Sequence, residues 1–507
     1  MAVVGAACSG VFPTTALAQE GPAPAAVLTV DPAAEVDLGQ APQLESPPLP
    51  EGAFISRPTI PIDEYRQLKQ SAGKAAAKAR RPQTEQPLAT TLVSGANGQS
   101  QGAPGPSLFP PDSAGAAGNT QIAQALNSKF AVYTKANPPA LQCANSFATL
   151  TGFTTTTLFD PRVVYDNDWD RWVISVEAFP ESASVQRQFL LISMTANACG
   201  SYRRYSFDVN FANTSSFFWD FPDLGLTQDA VILTANIFNP GFVGSATAGF
   251  AKARLYNGLG FSVPVFTGLG GTLAPPMVLD QDPCANLLQV LTGTSLGRRT
   301  FCNAENAFFG SVSAAASVPV SNTISVPPNA PQPGCTATST CALDTSDARF
   351  SSQTWQNGDN LWATHTITDA GLPTPKYYQI DIAGAGINTV KSQAFFFDSA
   401  TSSDFNASIA ARTNDTIYVG WNSSSSSTFV RVLVGGKTAA GAFSQAIALT
   451  GTVALTGNFD PNFGSQRWGD YSNTWPDNSV STQAWSFAER VNTAATWGTR
   501  LQRFAQT

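Results

Sequence analysis

Histidine occurs once in the 507 residues, methionine three times, and charged residues make up only 12 % of the chain. A single histidine, His365, excludes a His-rich zinc site and leaves at most one histidine general base. The net charge of −7, with no lysine or arginine cluster in the body, excludes a nucleic-acid partner, because neutralising phosphates needs grouped cations. After residue 18 no apolar run is long enough to span a bilayer.

What is present is small, apolar or β-forming. From Ala2 to Leu17 runs an apolar stretch closed by Ala16-Leu17-Ala18, which predicts a signal peptide over 1–18 cut before Gln19 and a secreted product, extracellular or at the cell surface, with the periplasm as the alternative. Cys8 lacks the leucine of a lipid-attachment motif in the Gly5-Ala6-Ala7 before it, so secretion rather than lipidation is expected. Six cysteines then remain: Cys143, Cys199, Cys284, Cys302, Cys335 and Cys341. In an exported chain an even count implies disulfides; of the fifteen arrangements that six allow, proximity favours 335 with 341 and 284 with 302, which leaves 143 with 199.

Residues 19–108 are rich in Pro, Ala, Gly and Gln, which predicts a disordered low-complexity linker. One helix is expected within it, near 62–80, with Asp63 and Glu64 in its first turn and Lys69, Lys74, Lys78, Arg80 and Arg81 towards its end, as the helix dipole favours. From 109 to 507 the texture changes to short runs of β-branched and aromatic residues between Gly, Asn, Asp, Ser and Pro. The runs centre near Phe130, Trp172, Val231, Leu288, Trp362, Ile417 and Trp485. Spacings of about 40 to 50 residues, stretched by inserted loops, are those of four-stranded propeller blades. An all-β single β-propeller is therefore expected, with seven blades favoured and six or eight left open. Its ring is expected to close where the strand around Phe130 meets the last strand, Thr499 to Phe504.

The stretches Pro110 to Lys135, DPRVVYD, Trp219 to Asn236, Leu343 to Thr366, SSDFNASIAA and RWGDYS, in that order, resemble a group of exported bacterial β-propeller proteins, mostly without an assigned activity. The opening loop departs from that group's pattern at Ser113, Ala116 and Asn119. The resemblance implies a propeller and export, and no particular chemistry.

Candidate catalytic groups are the loop carboxylates Asp160, Asp220, Asp223, Asp404 and Asp470, together with His365. Paired acids at a channel mouth would suit glycoside hydrolysis, whereas an Asp before a strand more often caps backbone amides. In LWATHTIT, alternation sets His365 on the face of Ala363, where a carbonyl or carboxylate partner is expected. Asp166, Asp168 and Asp170 alternate as calcium ligands can, but without the glycine and distal glutamate of a calcium loop they read as a hairpin tip, and no metal or other cofactor is assigned. The body arginines, Arg162 and Arg349 among them, raise the arginine clamp of sialidases. The Asp-box repeats that would accompany such a clamp are missing. Arg467, Trp468, Asp470, Tyr471 and Arg500 are expected to form a ring-closure network. Two functions follow: a propeller, expected to be a monomer, that binds a glycan or protein ligand without turnover, or a polysaccharide hydrolase or lyase using loop carboxylates.

Overall fold

The computed structural model describes residues 24–49, 57–76, 80–81, 89–102, 108–127, 129–210, 217–291 and 293–506. The predicted signal peptide and Cys8 lie outside them.

The antiparallel strands form seven successive groups. The first runs from Ala114–Ala117 to Leu141–Ser146, the second from Leu158–Asp166 to Ser201–Asp208, and the third from Phe218–Leu226 to Phe261–Phe266. The fourth is built on Cys284–Val290 and Ser295–Cys302, the fifth runs from Thr354–Asn357 to Thr389–Phe395, and the sixth from Ser403–Ala411 to Ser444–Thr450. The seventh holds Asn473–Pro476, Gln483–Thr493 and Thr496–Ala505. All seven predicted centres fall on strands of these groups, one in each.

The innermost strands touch in sequence around a circle, and Asn473–Pro476 of the last group returns to Ala114–Ala117 of the first. Such a closed circuit of sheets is a β-propeller. Around the fourth group the contact becomes backbone pairing. Pro276–Val278 lies parallel between Phe218–Leu226 and Thr354–Asn357, merging the third and fifth groups into one 10-stranded sheet. At the seam between first and last groups Phe487 packs on Gly115, where an added Cβ would lie 2.1 Å from the ring, so only glycine admits this approach.

Closure uses a different strand from the one expected. Thr91–Ser100 pairs antiparallel along Thr496–Ala505 and completes the seventh blade, whereas the strand of Phe130, Lys129–Thr134, stays inside the first. The segment read as a disordered linker is therefore built into the propeller wherever it is described. Ala26–Val30 extends the third blade against Phe261–Phe266, and Ala34–Asp37 extends the second against Ser201–Asp208. The predicted helix exists as α1 (Ile62–Ala76), with Asp63 and Glu64 in its first turn and Lys74 in its last. Composition misjudged this segment because it counts only the apolar surface a stretch can bury by itself. Here strand edges and the ring's own core supply the partners, and Val30, Leu38 and Tyr65 are buried against them.

Three disulfides, Cys143–Cys199, Cys284–Cys302 and Cys335–Cys341, match the pairing expected from proximity. Among the described residues no helix is long and apolar enough to cross a membrane.

Candidate functional site at the ring centre

Three innermost strands carry a one-step register shift, between Phe159 and Arg162, Asp220 and Asp223, and Phe405 and Ser408. At each shift one residue takes a positive φ: Asp160 at 47°, Phe221 at 57° and Asn406 at 50°. Asp and Asn tolerate this region better than most side chains, and a bulge re-aims the residues beside it. The bulges in the second and third blades thus bring Asp160, Arg162, Asp220, Phe221 and Asp223 into one buried neighbourhood.

A stack of alternating cations and rings crosses this neighbourhood. Arg162 lies 4.4 Å over Tyr471, Tyr471 stacks on Phe221 at 4.6 Å, and Arg349 lies 4.6 Å over Phe221. Each end is held by a carboxylate. Arg162 pairs with Asp223 at 2.9 Å, and Arg349 grips Asp347 through two bonds of 2.7 Å. The Arg349 guanidinium and the Thr59 amide and hydroxyl hold Asp347 well below the usual carboxylate range despite its burial. Arg349 also donates to the Arg57 carbonyl at 2.8 Å, so residues 57–59 are pinned to the stack.

The second charged centre is Arg467, buried and paired with Asp470 at 3.0 Å and Asp460 at 3.8 Å. The Asp470 amide donates to Asp112 at 2.7 Å, and Asn127 bridges Asp112 to the amide of Asp160. Glu489 accepts from the Gly469 amide at 2.7 Å. Trp468 donates to Asn422 and packs edge-on against Phe405, among residues of the sixth and seventh blades. Tyr471 donates to Asp160 at 2.8 Å. The segment 467–471 is thus bonded to Asp112, Asp160, Asn422 and Glu489. Arg500 does not join it: it lies on the outer pair of strands and bonds to Gln502. The segment 467–471 is not a strand and turns Asp470 back onto Arg467.

Helix α1 lies on this side of the ring. Tyr65 donates to Asp344 at 2.5 Å, and Lys69 reaches Asp344 at 3.2 Å and Thr345 at 2.7 Å. Gly73 approaches the Cys335–Cys341 loop closely enough that a Cβ would stand 2.9 Å from Thr338. Further along, the buried Arg81 donates to the carbonyls of Pro373, Ser399 and Ser402.

The remaining candidates scatter. Asp404 caps its own turn, accepting from Ser402, the Asp398 amide and Trp421, and faces Arg81 at 3.5 Å. His365 lies on the predicted face and is buried between the Ala348 carbonyl, 2.7 Å from Nδ1, and the Tyr378 hydroxyl, 2.9 Å from Nε2. Burial pulls its pKa down to about 4, which leaves a neutral, fully partnered imidazole. Asp166 pairs with Lys252 and accepts from Tyr256, while Asp170 accepts from Tyr165, so the three alternating aspartates do not gather around one point.

Asp160 and Asp220 do converge, and Glu177, which sequence reasoning missed, joins them. One carboxylate oxygen of each lies within 4.8 Å of the other two, and all three residues are buried. Burial first, and mutual repulsion second for Asp160 and Glu177, raise their pKa values; burial and the charge of Asp470 push Asp220 up to about 8. A visible signal did exist for Glu177: a lone acid inside the apolar strand WVISVEA.

No family model and no curated protein sequence matches the chain. Among solved structures, it is similar to the N10 neuraminidase-like protein of A/little yellow-shouldered bat/Guatemala/060/2010, at 9 % identity and a TM-score of 0.36 over 66 % of this chain and 96 % of that one. The parainfluenza virus 5 hemagglutinin-neuraminidase gives 11 % and 0.39 over 78 % and 96 %. An exo-beta-1,3-galactanase from Phanerochaete chrysosporium gives 12 % and 0.32 over 82 % and 96 %. Similarity of this degree transfers neither site nor activity, and the propeller assignment rests on the strand circuit described above.

Proposed function

We propose that the chain is an exported β-propeller that binds a glycan or protein ligand at its surface without turning it over. The observation that carries this reading is that every acid flagged as catalytic, and His365 with them, is buried in the ring. Asp223, Asp404 and Asp470 are occupied as ion-pair partners, and His365 is hydrogen-bonded through both ring nitrogens. Three disulfides suit the oxidising compartment that export implies. Beside α1 a recess of about 550 Å³, lined by Phe179, Phe238, Phe242, Phe463 and Arg57, offers ring faces and one cation to a ligand. The opposing reading, a glycoside hydrolase, draws on the short distance between Asp160 and Asp220, near the separation of a retaining pair.

Incubating the purified protein with a panel of polysaccharides separates the two readings. Retention on insoluble polymer and release of reducing ends are measured together. Retention without release is expected. Product formation that Asp160→Asn abolishes in a still-folded protein would overturn the binding reading in favour of the hydrolase.

A further inference from the structure

The second and third blades meet at a cluster of oxygen atoms that lacks the partners its burial demands. Among the described residues, neither oxygen of Glu177, neither oxygen of Asp220 and not Oδ1 of Asp160 has a hydrogen-bond partner; only the neighbouring Phe221 amide leans on Asp220. None of the three acids forms an ion pair with a described lysine or arginine, although several such pairs are made close by. A separate observation concerns two neutral side chains. Gln188 stands directly opposite Glu177 across one strand pair, and Asn236 directly opposite Asp220 across another. Residues paired in this way share a face of the sheet, so both amides lie alongside the acids. Gln188 and Asn236 are 0 % exposed, and both the oxygen and the nitrogen of each amide are without a partner.

Three carboxylates thus meet at one buried locus, and two unpartnered amides stand beside two of them on the same sheet faces. Leaving so many polar atoms unpaired would cost several times the ~1 to 3 kcal/mol of a single orphaned group, so an occupant is called for. A water could satisfy some of them but supplies no positive charge that would let the three acids ionise. The donor set contains no nitrogen or sulfur ligand, which excludes the preferences of zinc and copper. Three carboxylates and two amide oxygens, with bidentate carboxylates, can provide the six to eight oxygen ligands of calcium. Magnesium, which keeps several waters and demands a strict octahedron, suits a dry all-protein site poorly.

We propose that Asp160, Glu177 and Asp220, with the amide oxygens of Gln188 and Asn236, bind one calcium ion that joins the second blade to the third. This site is distinct from the Asp166–Asp170 hairpin, whose acids are already paired. The ion would leave one negative charge uncompensated, and Arg349 and Arg57 provide the positive field that Asp220 senses. Tyr471, donating to the second oxygen of Asp160, would fix that carboxylate's orientation as an outer-shell partner does.

Elemental analysis of the purified protein, both as isolated from calcium-containing buffer and after unfolding in EDTA and refolding with calcium chloride, tests the proposal. About one calcium per chain is expected in each case. In the chelated protein, calcium at a hundredfold excess over Kd should raise Tm by about 3 °C for a body of this size, and magnesium should not. Glu177→Gln and Asp220→Asn remove charge while keeping shape. Each should weaken calcium binding at least tenfold, while the metal-free variants melt at or above the metal-free parent because repulsion is relieved. Less than a tenth of an equivalent of calcium in both preparations would overturn the proposal. So would a stoichiometric transition metal in its place, or calcium affinity unchanged in both variants.

Discussion

Removing the charge at either end of the Arg467–Asp470 pair should destabilise the ring by different amounts. Breaking a buried pair costs ~3 to 5 kcal/mol, because the partner is left as an uncompensated charge. After Asp470→Ala, Arg467 still faces Asp460 and still lies over the Phe463 ring, so the lower figure applies. The same substitution relieves Asp112 and Asp220, both of which feel Asp470 as a like charge. After Arg467→Ala, in contrast, Asp112, Asp460 and Asp470 all lose the cation they share, and the upper figure applies. With an unfolding entropy of ~2 cal/mol/K per residue over roughly 450 described residues, 1 kcal/mol corresponds to about 1.1 °C. The expected falls in Tm are then ~3 °C for Asp470→Ala and ~5 °C for Arg467→Ala. Asp168→Ala, at an exposed hairpin tip, should change nothing measurable. Differential scanning calorimetry of the three variants beside the parent decides the matter. If Asp470→Ala melts with the parent while ligand retention changes, the ring-closure assignment is wrong and this loop is a binding site.

Two further outcomes are expected. His365 has a folded-state pKa of about 4 against an ordinary 6.5, so its contribution to stability is complete above pH 6.5 and is lost as pH falls towards 4, to a total of ~3 kcal/mol. The difference between the stability profiles of the parent and His365→Gln should therefore slope between those two values, and a flat difference would show that the imidazole is not held neutral. Removing Cys335–Cys341, which closes a loop of sequence separation 6, should cost about 2 kcal/mol. Because α1 rests on that loop, hydrogen exchange should quicken in Ile62–Ala76 and not in the blades; exchange quickened throughout the ring would refute this local role.

How far the sequence could be read depended on whether a residue's partner is its neighbour. Trp172, Trp362 and Trp485 announce their blades because a β-branched and aromatic run buries itself against the strands beside it. The same locality made the disulfides Cys284–Cys302 and Cys335–Cys341 readable, with Cys143–Cys199 left over, as it did the start of α1, where Asp63 and Glu64 answer the helix's own dipole. The docking of α1 was not readable, because Tyr65 and Lys69 find Asp344 some 280 positions away. Glu177 escaped notice because its companions, Asp160 and Asp220, come together only when two bulged strands meet at a blade boundary. Arg500 was expected in the closure network, and the strand pairing carries it to the outside instead.

The strand Thr91–Ser100 also sets an order of events. It leaves the ribosome some four hundred residues before its partner Thr496–Ala505, so during synthesis it must wait as an open edge while six blades are made. An apolar strand left waiting in that way would invite pairing with other chains. Its sequence, TLVSGANGQS, is polar and glycine-rich beyond its first three residues and offers little to a passing strand. The composition that hid this strand from a reading of the sequence is thus what lets it stay unpaired until the final hairpin arrives, and the last bonds of the ring join two of the most distant parts of the chain.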